Sequence, residues 1–595
     1  MRNPFCREFW IPAFVGITVR IISFEKGAVV KKSLMMTVLL TFGYSCIAAT
    51  RQDTIETTQG KTREFLLQKK YLNFPVKNGA QKHLIHLIID NEIVREFEIE
   101  LAPDEPDFWV FLDVSNFARK KAILWIDKRE PAESKGFDSV YQADTYIGQE
   151  DVYKEKLRPQ FHFTSKRGWN NDANGMVYYD GQYHLFYQHN PYGWSWGNMT
   201  WGHAVSTDMI HWVKLGDAIH PNRLGTIFSG SAIVDVNNTA GFQTGYEKVI
   251  VCIYTSAGGT NPMSKGQPFT QSIAYSNDHG RTFTVYENNP VLDHINGGNR
   301  DPKVIWHEPT NQWVMALYLD DNTMGFLTSK NLKSWQLQSR LKCFHECPEL
   351  FELPLNGNRN NKKWILYGGS GDYLIGSFDS RQFTPEAGPI PFQHGNCFYA
   401  SQTFNNIPKS DGRRIQIAWG RVAMPGMPFN QMMLFPVTLT LRMTEEGPRM
   451  FAEPVREIEK LHTKQWQWEN KILKPKENLL SGISGELFHI RAELKVGDAN
   501  EIGFVIRDVP VNYDLRKQQL SCLDKTAALK PVDGNIRLEI LVDRTSIEIF
   551  GNDGRIYMPI GLILAGNSKS LEIFTKGGDT KIKSLEIFEL SSIWR

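Results

Sequence analysis

Seven cysteines in 595 residues are too few and too scattered for a disulfide-built scaffold. Beyond residue 49 only Cys252, Cys343, Cys347, Cys397 and Cys522 remain, an odd set. Cys343, His345 and Cys347 have no second pair at zinc-ligand spacing, so these thiols read as buried side chains and no metal or organic cofactor is expected. An excess of charge of one sign is lacking too. Lys plus Arg (67) nearly cancel Asp plus Glu (65), and there is no Lys/Arg-rich block to track a phosphate backbone, which argues against nucleic acid as a partner. Nothing calls for an obligatory protein partner. The apolar run Leu34 to Ile47 is short for a bilayer span.

That run has another reading. Lys31 and Lys32 precede it and Ala48, Ala49 and Thr50 follow, the pattern of a secretory signal peptide, so residues 1–49 are expected to be a signal region and the protein to be exported. The signal has ordinary proportions if translation begins near Val30, which makes 1–29 an upstream extension. An anchor including Phe9 to Ile22 is disfavoured by Pro12 and Arg20, and Gly43 and Tyr44 make a poor lipoprotein context for Cys46. With 41% hydrophobic and 22% charged residues, the remainder has the composition of a multidomain globular protein.

The expected fold is all-β. In "REFEIEL", Phe97, Ile99 and Leu101 alternate with Glu96, Glu98 and Glu100, which predicts a half-exposed antiparallel sheet in an N-terminal β-sandwich-like domain over 60–150, the polar stretch from Lys128 to Lys156 serving as linker. From 155 to 452 an apolar strand recurs five times: "YHLFYQ", "VIVCIYT", "WVMALYL", "WILYGG" and "IQIAWG". After the first three comes a strand, a Ser-containing turn and an aromatic ("AVSTDMIHW", "AYSNDHGRTF", "FLTSKNLKSW"), and "LIGSFDSRQF" is a looser fourth copy. Short multi-strand units repeated at this length predict a five-bladed β-propeller. A short helical connector is expected over 453–470. A C-terminal β-sandwich over 471–595 follows, in which Leu538, Ile540, Val542, Ile547 and Ile549 share one face and "GNDG" turns a hairpin.

Propeller loops gather around a central channel, so chemistry should come from residues at strand ends of different blades. Three acids fit: Asp172 in "WNNDANG", Asp301 in "NRDPKV" and Glu346 in "FHECPEL", each read as lying in a turn. Retaining glycoside hydrolysis needs a carboxylate nucleophile and an acid/base carboxyl roughly 5 to 5.5 Å apart. Asp172 and Glu346 suit those roles. Asparagine neighbours should keep Asp172 ionised, whereas Phe344 and Phe351, by excluding water, should raise the pKa of Glu346.

"WNNDANG", "YQHNP", "WGNMTWGHAVS", "FSGSAIVD", "RDPKV", "ECPELFEL", "FYASQTF", "IAWG" and "VDRTSIEIFGNDG" follow one another in an order that resembles glycoside hydrolase family 32, the invertases, inulinases and levanases. The resemblance implies Asp172 as nucleophile, Glu346 as acid/base, and Asp301 as a third acid that holds fructosyl hydroxyls. It further implies that Arg300 pairs with the acids or the sugar, and that Asn171, Gln188, Trp196, Phe228, Ser229, Tyr399 and Trp419 line the terminal fructose pocket. Two neighbours depart from the family pattern, Asn170 for its usual Met and Ala173 for its usual Pro, which bears on the rigidity of the turn. The implied activity is hydrolysis of β-fructofuranosidic bonds in levan, inulin or sucrose, with exo release of fructose. Its rivals are endo cleavage, fructosyl transfer and a non-catalytic fructan-binding protein on the same scaffold; a sialidase- or arabinanase-like propeller would need a different constellation.

Overall fold

The computed structural model describes residues 60–127 and 134–594. The signal region expected over 1–49 lies outside them. Among the described residues no helix is long and apolar enough to cross a membrane.

Five four-stranded blades form the middle of the chain, beginning at Gly168–Tyr179, Thr226–Asp235, Arg300–His307, Glu349–Leu355 and Phe398–Thr403. The five apolar repeats are the second strands of these blades. Each is covered on both faces by neighbouring blades, so it is apolar without alternation; all nine residues of Val249–Ala257 are buried. The outermost Gln336–Lys342 faces solvent and alternates instead. The repeated Ser-containing turn has a common cause. After the third strand of four blades an Asp or Asn Oδ1 accepts two successive backbone N–H groups: Asp208 from Ile210 and His211, Asp278 from Arg281 and Thr282, Asn331 from Lys333 and Ser334, and Asp379 from Arg381 and Gln382.

Polar side chains sew the inner strands together. Asn405 Nδ2 donates to the carbonyls of Ala232 (2.8 Å) and Val304 (3.2 Å), Gln402 Nε2 to Gly230 (2.6 Å), and the buried Lys303 ammonium pairs with Glu349 at 2.8 Å. The ring closes where Phe429–Asn430 runs parallel to Gly168 and Trp169.

Beyond the propeller, the helical connector expected over 453–470 is corrected to a short 3-10 turn, Arg456–Leu461, because His462–Leu473 is already an edge strand of the C-terminal sandwich. The sandwich has two sheets, of six and five strands. Leu538, Ile540, Val542, Ile547 and Ile549 face its core as expected. Their opposite face is buried too, since Leu541, Phe550 and Tyr557 belong to the propeller's hydrophobic cluster. At this junction His162 lies between Asp543 (2.7 Å) and Glu548 (2.6 Å), all three fully buried. Burial alone would neutralise the imidazole, but the two carboxyl groups outweigh it and push its pKa up to about 9.

The N-terminal domain pairs a four-stranded sheet with a three-stranded one. Two expectations are corrected. The segment read as linker contains a helical turn, Ser134–Asp138, and a strand, Tyr141–Ala143, that completes the smaller sheet against Tyr71–Asn73. Glu96, assigned to a solvated face, is buried because a propeller loop covers it.

Candidate active site

The inner strands of four blades carry an irregularity at the same end. Register shifts fall between Asn170 and Ala173, Ile227 and Gly230, Arg300 and Lys303, and Tyr399 and Gln402. A β-bulge turns one side chain out of the strand's alternation. Here the bulged residues include Asn171, Asp172, Phe228, Ser229 and Asp301. The sequence reading of Asp172 and Asp301 as turn residues is thereby corrected: both lie within strands, Gly168–Tyr179 and Arg300–His307. Ala173 pairs with Tyr187 in that ladder, so strand pairing supplies the rigidity that proline would have given a turn. Glu346 does come from a loop, just ahead of Glu349–Leu355.

Strain accompanies this convergence. Asp301 (φ +64°), Glu346 (+31°), Cys347 (+46°) and Ala400 (+43°) hold left-handed backbone conformations, each at a cost of about 1–3 kcal/mol for a residue with a side chain.

Asp172 accepts hydrogen bonds from Ser229 Oγ (2.7 Å) and Asn171 Nδ2 (3.0 Å), and Asn171 in turn accepts from Trp169 Nε1 (2.8 Å). Glu346 Oε1 accepts from the Tyr399 hydroxyl at 2.7 Å, while its Oε2 takes Arg300 Nε (3.0 Å) and Nη2 (2.8 Å). Arg300 Nε also lies 3.7 Å from Asp301, and the guanidinium stacks over Tyr318. Trp419 meets Tyr399 and Trp169 edge-on and donates to Gln431. Trp196, half exposed, is edge-on to Phe228. Gln188 is buried on Gln182–Asn190 with no direct bond to this network, and its Nε2 lacks a protein partner.

Sequence reasoning missed Cys347 and Thr255. Cys347 was grouped with inert thiols, yet its Sγ lies 3.7 Å from Asp172 Oδ2 and 3.5 Å from Asp301 Oδ2, and its N–H donates to Asp301 (3.1 Å). One S–H is thus shared by two acids, and its place directly after Glu346 was the available signal. Thr255 Oγ1 accepts the N–H of Asp301 from the adjacent blade, which no sequence feature announced.

The expected directions of the shifts on Asp172 and Glu346 are reversed. Burial raises the pKa of Asp172 and the Glu346 charge adds to it, against the bonds from Ser229 and Asn171. Burial also raises Asp301, with Glu346 and Asp172 adding and Arg300 opposing, up to about 7. Burial works in the same direction on Glu346, but Tyr399 and Arg300 prevail and hold it below the ordinary range. Phe344 and Phe351 pack in blade cores and belong to the hydrophobic clusters there. The surroundings thus favour the charged form of Glu346, whereas Asp301 titrates near neutrality. Among the described residues no group of His, Cys, Asp and Glu is arranged to hold a metal ion.

Strained inner-strand bulges at one end of a five-bladed ring, carrying adjoining carboxyl groups edged by aromatic rings, define a cleft for carbohydrate cleavage. Residues 162–454 match the glycosyl hydrolases family 32 N-terminal domain and 457–589 its C-terminal domain, and the chain belongs to that family. Residues 64–161 match a domain of unknown function, DUF4980. A levanase of Bacillus subtilis is 42% identical over 74% of this chain and 72% of its own. An extracellular exo-inulinase of Aspergillus ficuum is 29% identical over 74% of this chain and 96% of its own. The crystal structure of the exo-inulinase from Aspergillus awamori superposes with a TM-score of 0.67 at 29% identity, covering 74% of this chain and all of that one.

Proposed function

We propose that this glycosidase of β-fructofuranosidic bonds works with retention, with Asp172 as nucleophile, Glu346 as acid/base and Asp301 as the acid that holds the fructosyl hydroxyls. The observation that carries the assignment is the differing treatment of three neighbouring acids. Glu346 is held by a cation and a phenol, Asp172 by neutral donors, and burial beside two other acids pushes the pKa of Asp301 up to about 7.

Glu346 must hold a proton when the glycosidic bond breaks. Burial beside two other acids lets Asp301 keep a proton up to about pH 7, and sugar hydroxyls donating to Asp301 favour its ionised form. Water must carry the proton to Glu346, because the Arg300 guanidinium that bridges the two acids donates hydrogen bonds but cannot accept one. Glu346 delivers it to the leaving oxygen as an Asp172 oxygen attacks the anomeric carbon and the glycosidic C–O bond breaks. Water next attacks the fructosyl ester, Glu346 takes its proton, and the carboxylate of Asp172 leaves. The buried Gln188 amide suits a sugar hydroxyl, because an unpaired buried donor costs about 1–3 kcal/mol until a ligand satisfies it.

Fructans are the favoured substrates, since the levanase and the exo-inulinase share most of this chain's length. Release of single fructose units is the favoured mode. Export is supported by the apolar stretch at Leu34 to Ile47 and by the extracellular relative. The test is to incubate the purified protein and its Glu346→Gln variant with levan, inulin and sucrose and follow products chromatographically. The wild type should release fructose alone from the earliest times. The variant should bind sugar yet lose about 10²- to 10⁴-fold in kcat. Early oligosaccharides would mean endo cleavage, transfer products at high sugar would mean a fructosyltransferase, and an unimpaired variant would remove Glu346 from its role.

A further inference from the structure

The loop 191–199 carries Trp196 and forms neither strand nor helix; on the propeller side Asn190 holds it through Tyr192, Ser195 and Asn198, and Asn430 through the carbonyl of Trp194. It contains two glycines, and Asn198 adopts a left-handed conformation, φ +47°. The N-terminal domain holds both sides of Trp196. Before it, Tyr192 is buried in that domain's hydrophobic cluster and stacks on Phe97, ring centres 3.7 Å apart and planes 15° from parallel. After it, Asn198 Oδ1 accepts the N–H of Glu98 (2.8 Å) and its Nδ2 donates to the carbonyl of Glu98 (2.8 Å), so one side chain imitates a strand partner along the Glu92–Glu100 strand.

The same strand grips a second loop. One oxygen of the buried Glu96 accepts from Asn261 Nδ2 (2.8 Å) and the N–H of Met263 (3.0 Å), and the other meets His86 Nε2 at 2.8 Å. This loop leads into Phe269, which is edge-on to Phe228, itself edge-on to Trp196. Both loops behind the aromatic rim are therefore fastened to one strand outside the propeller.

We propose that the N-terminal domain is a positioning element of the sugar site: its Glu92–Glu100 strand fixes Trp196 for stacking against the leaving-group sugar of a fructan chain. The inference rests on the fructosidase reading above. Trp196 is 50% exposed, which sets it on the rim, where a ring face remains open to the next sugar's C–H groups. Ordering a glycine-containing loop costs conformational entropy. Contacts made during folding remove that cost from the binding step, so their loss should weaken binding and spare the chemistry.

The test uses the full-length protein and Asn198→Gly, which keeps the left-handed backbone unstrained while removing both bonds to Glu98 and one to Asn190. Asn190→Ala, which removes only the propeller side of that contact, is the control and should leave exchange at the Glu98 amide unchanged. KM for the fructan that the wild type prefers should rise about tenfold with kcat held within about twofold. Hydrogen exchange at the Glu98 amide and over 191–199 should accelerate. In a Trp196→Ala background the same change should leave KM unaltered, because the effect passes through the indole. Unchanged KM in Asn198→Gly, or an equal rise with and without Trp196, would overturn the proposal while leaving the fructosidase reading intact. Failure of the wild type to hydrolyse levan, inulin and sucrose would instead overturn that reading and the leaving-group role together. Unchanged exchange at Glu98 would overturn the strap itself, whatever the kinetics.

Discussion

Two of the places where a cation meets several acids, the junction and the cleft, are built on opposite principles. At the junction of the propeller and the C-terminal sandwich, His162 is sealed between Asp543 and Glu548. Asp543 also takes the N–H groups of Gln160 and Phe161, and Glu548 takes the Tyr557 hydroxyl and the N–H of Phe435. In the cleft, Arg300 serves Asp301 and Glu346 together, Asp172 adds a third acid, and several of the residues holding them are strained. Residue types are alike; satisfaction differs. A buried charge whose bonds are all made fixes structure, whereas acids crowded beyond their compensation keep protons in reach of a substrate.

The largest test of this contrast is to remove one acid from the cleft and the cation from the junction. Asp172→Asn should lose about 10⁴-fold or more in kcat/KM and leave the unfolding midpoint close to the wild type. His162→Phe should do the reverse, destabilising by about 3–5 kcal/mol because two buried carboxyl groups lose their cation. Its turnover per folded molecule should be retained. Denaturant unfolding and active-site titration check both.

The pH dependence separates the clusters next. In the junction, His162 is raised from 6.5 to about 9, so its contribution to stability is complete below about 6.5 and is lost as pH rises through about 9. Asp543 is held below its ordinary 3.8 by His162 and two backbone N–H groups against the effect of burial, so its contribution is present above that value and is lost as pH falls through the lower folded one. In the cleft the proton on Asp301 leaves near pH 7, and kcat/KM should fall as pH rises through about 7 while the protein stays folded. Coincident loss of activity and structure on the alkaline side would break the distinction.

The smallest expected effect is the most diagnostic. Native Asp301 keeps a proton between 3.8 and about 7, where the unfolded chain has lost it, so stability falls across that window as pH rises. Asp301→Asn should remove this fall and melt above the wild type at pH 8, at the expense of activity. A lower midpoint would show that Asp301 stabilises the fold.

Much of the architecture was legible because it repeats. Each blade's second strand carries a short apolar run packed between neighbouring blades, and the third strand of four blades ends in the same side-chain-capped turn; both survive as patterns in the chain. The acids were legible as residues, since Asp172, Asp301 and Glu346 stand in polar or proline-marked contexts. Their setting was misread for a physical reason. A bulged strand and a turn use the same Asn, Asp and Gly, and only the partner strand shows which is present. The place of Cys347 between two carboxyl groups, and the grip of Glu96 and Glu98 on loops more than 90 residues away, depend on contacts that local sequence does not encode.

The sequence by itself determined an all-β chain with a five-fold repeat, the three acids, and the family they mark, because periodic burial and local turn chemistry are written residue by residue. Only the tertiary structure decided which acids are pushed up, which is held down and which aromatic stands at the rim. Those properties arise from burial, from donors on other blades and from a neighbouring domain, and through-space electrostatics depends on distance in the fold rather than on separation along the chain.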